Sequence, residues 1–141
     1  MMQVRELMTD KPRYIGGSAT LQEAARLMRD LDIGFLPIAD EREQKLQGVV
    51  TDRDITLRAV ADGRDPAKTR VEDVKSDKVL YCFKGDDVTD AAQSMRKRQV
   101  YRLIVLDDRD NKKLCGVISL GDILRHKQSE LAEKTAEAIV A

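Results

Sequence analysis

The sequence predicts an α/β (α+β) fold made of two β-α-β-β-α repeats related by an approximate internal two-fold axis. Three observations carry this. First, the chain repeats itself. Val4-Arg5-Glu6-Leu7 returns as Val71-Glu72-Asp73-Val74, an offset of 67 (from 4 to 71), and Ala24-Ala25 and Met28 return as Ala91-Ala92 and Met95. Second, the apolar pattern in each repeat changes from short β-prone runs to helical spacing and back, which is how strand, helix and hairpin follow one another. Third, Gly48-Val49-Val50-Thr51-Asp52-Arg53-Asp54-Ile55 recurs as Gly116-Val117-Ile118-Ser119-Leu120-Gly121-Asp122-Ile123, now at an offset of 68 (from 48 to 116). One residue inserted near Asp108 to Lys113 accounts for the change, and a surface turn absorbs it.

The elements follow in order. Tyr14-Ile15 and Val79-Leu80-Tyr81-Cys82-Phe83 are β-prone runs. Residues 20–31 place Leu21, Ala24, Ala25, Leu27, Met28 and Leu31 on one helical face, with Ser18 or Thr20 as cap and Glu23 closing a capping box on Thr20. The counterpart helix over 88–98 ends in Arg96-Lys97-Arg98, cations that suit a helix C-terminus. Strands over 35–39 and 46–50 flank a polar turn, and 103–106 and 114–118 repeat that hairpin. A second helix follows each hairpin, over 53–61 and from Gly121 through Arg125.

The organisation expected is a first repeat over residues 1–62, a linker over 63–70, a second repeat over 71–126 and a helical tail over 127–141. Glycine and proline in Gly63-Arg64-Asp65-Pro66 stop one helix and delay the next element. A single repeat of this length buries a limited core, so the two are expected to pack together. The tail carries Leu131, Thr135, Ala138 and Ile139 in a narrow stripe. That stripe reads as a frayed end or as a surface packed on a neighbouring subunit.

Composition excludes several functions. Basic and acidic residues number 25 each, so no general attraction to nucleic acid or an anionic membrane is encoded. No apolar run is long enough to span a bilayer, and the acid in Met1-Met2-Gln3-Val4-Arg5-Glu6 argues against an export signal. Cys82 and Cys115 stand apart with no Cys-x-x-Cys pattern and read as reduced thiols, which points to a cytoplasmic protein. His126 has no second ligand at metal spacing, and Cys115 has no partner base, so neither reads as a metal or catalytic site.

The tandem units, each ending in Gly-apolar-apolar-Thr/Ser-x-x-Asp, resemble a pair of cystathionine-β-synthase (CBS) domains, or Bateman module, over about residues 4 to 126. Ala24-Ala25-Arg26-Leu27-Met28 and Ile33-Gly34-Phe35-Leu36-Pro37-Ile38 belong to the same resemblance. It implies a stand-alone regulatory module that takes adenosine ligands in clefts between the two units. AMP, ADP or ATP is the expected partner, with S-adenosylmethionine and NAD ranked behind, and no cofactor is implied. It also implies a homodimer. Leu57, Val60 and Leu124 offer apolar helix surface for one.

The residues agree with such a role. Thr51 falls where a strand yields to a helix, so its hydroxyl and the unpaired N–H groups there suit a phosphate or ribose. Asp54, one turn on, suits ribose hydroxyls, and Arg53 is a fixed charge for phosphate. The apolar residues around Gly34, Phe35, Leu36 and Pro37, and those following Lys11 and Arg13, would sandwich the adenine. In the second repeat the equivalents are Tyr101, Arg102, Leu103, Ser119 and Asp122. There Gly121 stands for Arg53 and Ile104 for Pro37, so the first site is expected to bind better. A second reading stays open: Thr or Ser with an acid three residues on is also a capping box, worth about 1 kcal/mol. The chain is then a structural dimerisation or adaptor protein without ligand. No catalytic constellation is evident, so an enzyme is not expected.

Overall fold

The structure, a computed structural model, describes residues 1–126 and 135–139. In chain order the elements are α1 (Val4–Leu7), β1 (Thr9–Asp10), α2 (Leu21–Leu31), β2 (Phe35–Ala39), β3 (Leu46–Thr51) and α3 (Asp52–Ile55). A π-helical stretch (Thr56–Val60) and a 3-10 turn (Val71–Asp73) follow. Then come β4 (Tyr81–Phe83), α4 (Val88–Arg98), β5 (Arg102–Leu106), β6 (Leu114–Ser119) and α5 (Leu120–Arg125). The mixed α+β architecture and the repeated order agree with the sequence.

Local chemistry explains the shared boundaries. Thr20 Oγ1 accepts the Glu23 N–H at 3.1 Å and the Thr20 N–H donates to Glu23 Oε2 at 3.0 Å, which starts α2. Asp87 starts α4 by accepting the Thr89 N–H. Both helices end on a left-handed residue, Asp32 at φ 54° and Gln99 at φ 56°. Leu21, Ala24 and Met28 form the buried stripe of α2, whereas Ala25 is exposed and Leu27 and Leu31 are half-buried. The apolar face is thus narrower than the sequence suggests. Ala25 is small enough to sit in water at little cost.

The chain divides into two compact units, one holding Arg13–Val79 and the other Met1–Pro12 together with the chain from Leu80 onward. This division differs from that of the sequence repeats, because each repeat's leader belongs to the unit formed by the other repeat. In the unit from Leu80 onward, β1 pairs antiparallel with β6 (Thr9 opposite Val117), completing a four-stranded sheet in the order β1-β6-β5-β4. The Val4 N–H donates to Asp86 O and the Arg5 N–H to Lys84 O. In the unit Arg13–Val79 the same bonds recur at the repeat offset: Val71 N–H to Ala19 O and Glu72 N–H to Gly17 O, with Ser76 bridging Val49. Residues 63–70 belong here as well, since Thr69 O accepts the Leu21 N–H and Pro66 O the Gln22 N–H.

The leader also explains the glycine of the recurring phrase. A Cβ on Gly116 would lie 2.9 Å from Thr9 O and 2.6 Å from Met8 Sδ, and one on Gly48 would lie 3.0 Å from Ser76 O. Only a residue without a side chain lets the leader approach this closely.

Each unit has its own core. Leu21, Met28, Leu36, Ile38, Val50 and Val71 fill one, and Val4, Met95, Leu103, Val105, Ile118 and Ile123 the other. Antiparallel hairpins β2-β3 and β5-β6 carry a bulge at matching places, Ile38/Ala39 and Val105/Leu106. The first β-prone run makes only a single bridge, Ile15 to Ile38, while β4 runs parallel to β5 for three residues.

Two further features depart from expectation. The helix expected over 53–61 is α-helical only to Ile55 and then π-helical, with the Ala61 N–H bonded to Thr56 O. Residues 135–139 are helical and lie on their own unit: Thr135 is buried with its hydroxyl 3.4 Å from Ala92 O, and Ala136 packs on the core. For these residues neither a frayed end nor a neighbouring subunit is needed to explain the tail. Leu131 lies outside the described residues.

Candidate functional site

The recurring phrase builds the same device twice. Where β3 yields to α3, Thr51 Oγ1 accepts the Asp54 N–H at 3.0 Å while the Thr51 N–H donates to Asp54 Oδ2 at 3.0 Å. Where β6 yields to α5, Ser119 Oγ accepts the Asp122 N–H at 3.2 Å and the Ser119 N–H donates to Asp122 Oδ2 at 2.8 Å. Both are complete capping boxes, so each carboxylate has a structural task before any other.

The start of the preceding strand sits beside each box. Phe35 is opposite Thr51 and Arg102 opposite Ser119 in the ladders. The Asp52 N–H donates to Gly34 O at 2.9 Å, and the Leu120 N–H to Tyr101 O at 2.8 Å. A Cβ on Gly34 would meet the Asp52 carboxylate, with Oδ2 at 2.9 Å, the end of an exposed side chain that can turn away. Tyr101 occupies that position in the second, where Leu120 turns inward.

The structure therefore brings Gly34, Phe35, Thr51, Arg53 and Asp54 to one edge of the unit Arg13–Val79. Tyr101, Arg102, Ser119 and Asp122 gather at the matching edge of the other unit. Arg53 is exposed and enters none of the ion pairs among the described residues. Tyr101 is 48% exposed, an open aromatic face. Lys11 and Arg13 are exposed, one in each unit. Leu36 and Leu103 are core residues whose side chains face inward, and Pro37 is buried beside Leu36 in β2.

Sequence reasoning missed two side chains, Arg58 and Arg125. Arg58 Nε stands 3.9 Å from Asp54 Oδ1, while its Nη1 donates to Val74 O at 3.2 Å and Lys75 O at 3.0 Å. Arg125 Nη2 donates directly to Asp122 Oδ1. A signal for them exists in the sequence: Leu57-Arg58 and Leu124-Arg125 fall back to an offset of 67 (from 58 to 125), one residue short of the phrase before them.

Other candidates are inert here. Burial pushes the Cys82 thiol up to about 12, and burial raises Cys115 too, so neither supplies a thiolate at neutral pH. His126 is exposed. Among the described residues no group of three His, Cys, Asp or Glu is placed to hold a metal ion. No helix among them is long and apolar enough to cross a membrane.

Comparison with known proteins places this geometry. Residues 4–60 and 71–129 match the family model of the CBS domain. The CBS domain-containing protein YhcV of Bacillus subtilis is 34% identical over 129 residues, covering 92% of this chain and 88% of its own length. The CBS domain protein PAE2072 from Pyrobaculum aerophilum, solved in complex with AMP, aligns with a TM-score of 0.73 at 26% identity, over 94% of this chain and 99% of that one. The CBS domain pair of protein MJ0100, solved with 5-methylthioadenosine and S-adenosyl-L-methionine, aligns with a TM-score of 0.72 at 27% identity, over 92% and 98%.

Proposed function

The chain belongs to the CBS-domain family, and from that premise we propose that it is a regulatory module which binds an adenosine nucleotide without turning it over. The observation that carries the reading is the pair of Thr/Ser-x-x-Asp boxes, each with its acid beside an open strand start, in a chain alike over nearly its full length to proteins solved with adenosine compounds. In this reading Asp54 and Asp122 accept ribose hydroxyls, Thr51 and Ser119 reach ribose or phosphate, and Arg53 carries phosphate charge. Phe35 and Tyr101 lie against the adenine. Leu36, Pro37 and Leu103 back the site from within their strands, and Lys11, Arg13 and Arg102 add cationic reach. Binding alters conformation or assembly and passes the signal to a protein target. The setting is the cytoplasm, and the working form is a homodimer, supported by the exposure of Leu57, Val60 and Leu124.

A melting-shift screen with AMP, ADP, ATP, NAD and S-adenosylmethionine tests this. A ligand at 100 times its Kd adds about 2.7 kcal/mol of stability. No shift from any of them at millimolar concentration overturns the reading in favour of a ligand-free adaptor, for which the complete capping boxes speak. Phosphate release from ATP by the pure protein overturns the non-catalytic half. A monomer mass by light scattering at tens of micromolar overturns the dimer.

A further inference from the structure

Asp54 and Asp122 differ in what occupies the carboxylate oxygen that the cap leaves over. A carboxylate accepts through two oxygens, and in both boxes Oδ2 is committed to the Thr51 or Ser119 N–H. Oδ1 is the oxygen left for a ribose hydroxyl. On Asp122 it already accepts from Arg125 Nη2, and the Asp122 side chain is 9% exposed. On Asp54 the nearest arginine nitrogen is Arg58 Nε at 3.9 Å, beyond hydrogen-bond reach, and the side chain is 14% exposed.

Arg58 stands off for a visible reason. Its Nη1 donates to the carbonyls of Val74 and Lys75, which follow the 3-10 turn packed into the same unit. Those two bonds fix the guanidinium. No such carbonyl pair among the described residues holds Arg125, whose side chain is 71% exposed and bonds the aspartate three residues before it.

We propose that Arg125 is an internal competitor for the ribose-accepting oxygen of Asp122, and that tethering of Arg58 by Val74 and Lys75 is what keeps the equivalent oxygen of Asp54 open. The arginine, which no part of the Thr/Ser-x-x-Asp phrase contains, then ranks the two sites. This rests on the nucleotide-binding reading above and adds a specificity-determining residue to it. An arginine on a carboxylate both covers the lone pairs and draws charge from them, so the oxygen is a poorer acceptor for a neutral hydroxyl. Arg125 must swing away before a ribose can bind.

The test is calorimetric titration of AMP, with S-adenosylmethionine as a second probe. In an Asp54→Ala background only the Ser119/Asp122 edge remains, and adding Arg125→Ala is expected to tighten its binding by roughly tenfold, the effect of one charge-assisted bond. Arg125→Gln, which keeps the length of the chain without its charge, is expected to act in the same direction. Adding Asp122→Asn to the Arg125→Ala protein must remove the gain. In an Asp122→Ala background, Arg58→Ala is expected to change AMP affinity less than about twofold, because Arg58 does not hold Asp54 Oδ1. Circular dichroism of each variant checks that the fold is intact. Affinity unchanged by Arg125→Ala and Arg125→Gln, or a gain that survives Asp122→Asn, overturns the inference. Titration of the unmutated protein keeps the two ideas apart. If it binds AMP and the Arg125 variants gain nothing, only the inference fails; if neither it nor the Arg125 variants bind, both fail.

Discussion

The stretch from Thr51 to Arg58 and the stretch from Ser119 to Arg125 follow one pattern, yet the first is one residue longer. Asp54-Ile55-Thr56-Leu57-Arg58 corresponds in sequence to Asp122-Ile123-Leu124-Arg125. An extra residue in a regular α-helix would rotate everything after it by about 100°. Here the π turn at Thr56–Val60 takes it up, since an i→i+5 bond encloses one residue more than an α turn. Leu57 and Leu124 accordingly emerge in the same state, half exposed at 50% and 45%. Arg58 and Arg125 meet the same aspartate position from i+4 and i+3. The lesson is that an insertion can be locally silent for the apolar pattern and still change what an arginine does to its neighbour.

The largest test of the equivalence between the units lies in their cores. Leu36 and Leu103 occupy the same place in β2 and β5 and are 0% and 1% exposed. Leu36→Ala and Leu103→Ala should each cost about 2–5 kcal/mol by denaturant unfolding. Costs differing by more than the whole of that range would break the two-fold equivalence.

A sharper contrast is expected in binding. Asp54→Ala removes the open acceptor and should lose about 1.5–3 kcal/mol of AMP affinity, tenfold or more. Asp122→Ala should leave the main binding event nearly intact. Calorimetry on the two single variants decides it, and an equal loss from both, or a greater one from Asp122→Ala, reverses the ranking.

The glycines of the recurring phrase come next. Gly116→Ala meets both Thr9 O and Met8 Sδ, whereas Gly48→Ala meets Ser76 O and the flexible end of Lys75. Both should destabilise by about 1–3 kcal/mol, the Gly116 change more. Thermal melts showing Gly48→Ala as the worse of the two would contradict the packing described.

The smallest effect near neutral pH is confined to the unit carrying the cysteines. The folded Cys82 thiol holds its proton up to about 12, mainly because of burial, against an ordinary value of 9.0. Between those values the folded state binds more protons than the unfolded one, so stability falls as pH rises above 9. Cys82→Ala should flatten that alkaline decline in melting temperature. An unchanged slope would show that Cys82 does not govern it.

How much of this was legible follows from where each signal lies. The α4 boundaries and both hairpins were readable because capping acids, apolar alternation and polar turns are local in sequence. The capping boxes themselves were readable for the same reason, since both partners lie within four residues. Arg58 and Arg125 were passed over because an offset that moves from 67 to 68 and back is easily taken as one step. The partner of each leader was not legible at all. Val4-Arg5-Glu6-Leu7 and Val71-Glu72-Asp73-Val74 have the same pattern, and nothing local states that each docks on the opposite repeat. Leu36 and Leu103 read as ligand contacts from the family phrase, but alternation along a strand whose inner face is a core turns them inward.

The exchange of leaders makes the two equivalent dockings unequal in chain entropy. Ser76 reaches Val49 across 27 residues (from 49 to 76), whereas Thr9 reaches Val117 across 108 (from 9 to 117). For a chain not yet folded, each doubling of loop length adds about 0.6 kcal/mol, so this fourfold difference adds about 1.2 kcal/mol to the closure of the longer loop. The longer closure is also the one with fuller pairing, a two-residue strand on β6 where the shorter has a single bridge. During synthesis, Val71, Glu72 and Ser76 meet Ala19, Gly17 and Val49 as soon as they emerge, since those partners are already made. Val4 and Arg5 find their partners once Lys84 and Asp86 have emerged, and Thr9 and Asp10 wait until β6 has been made.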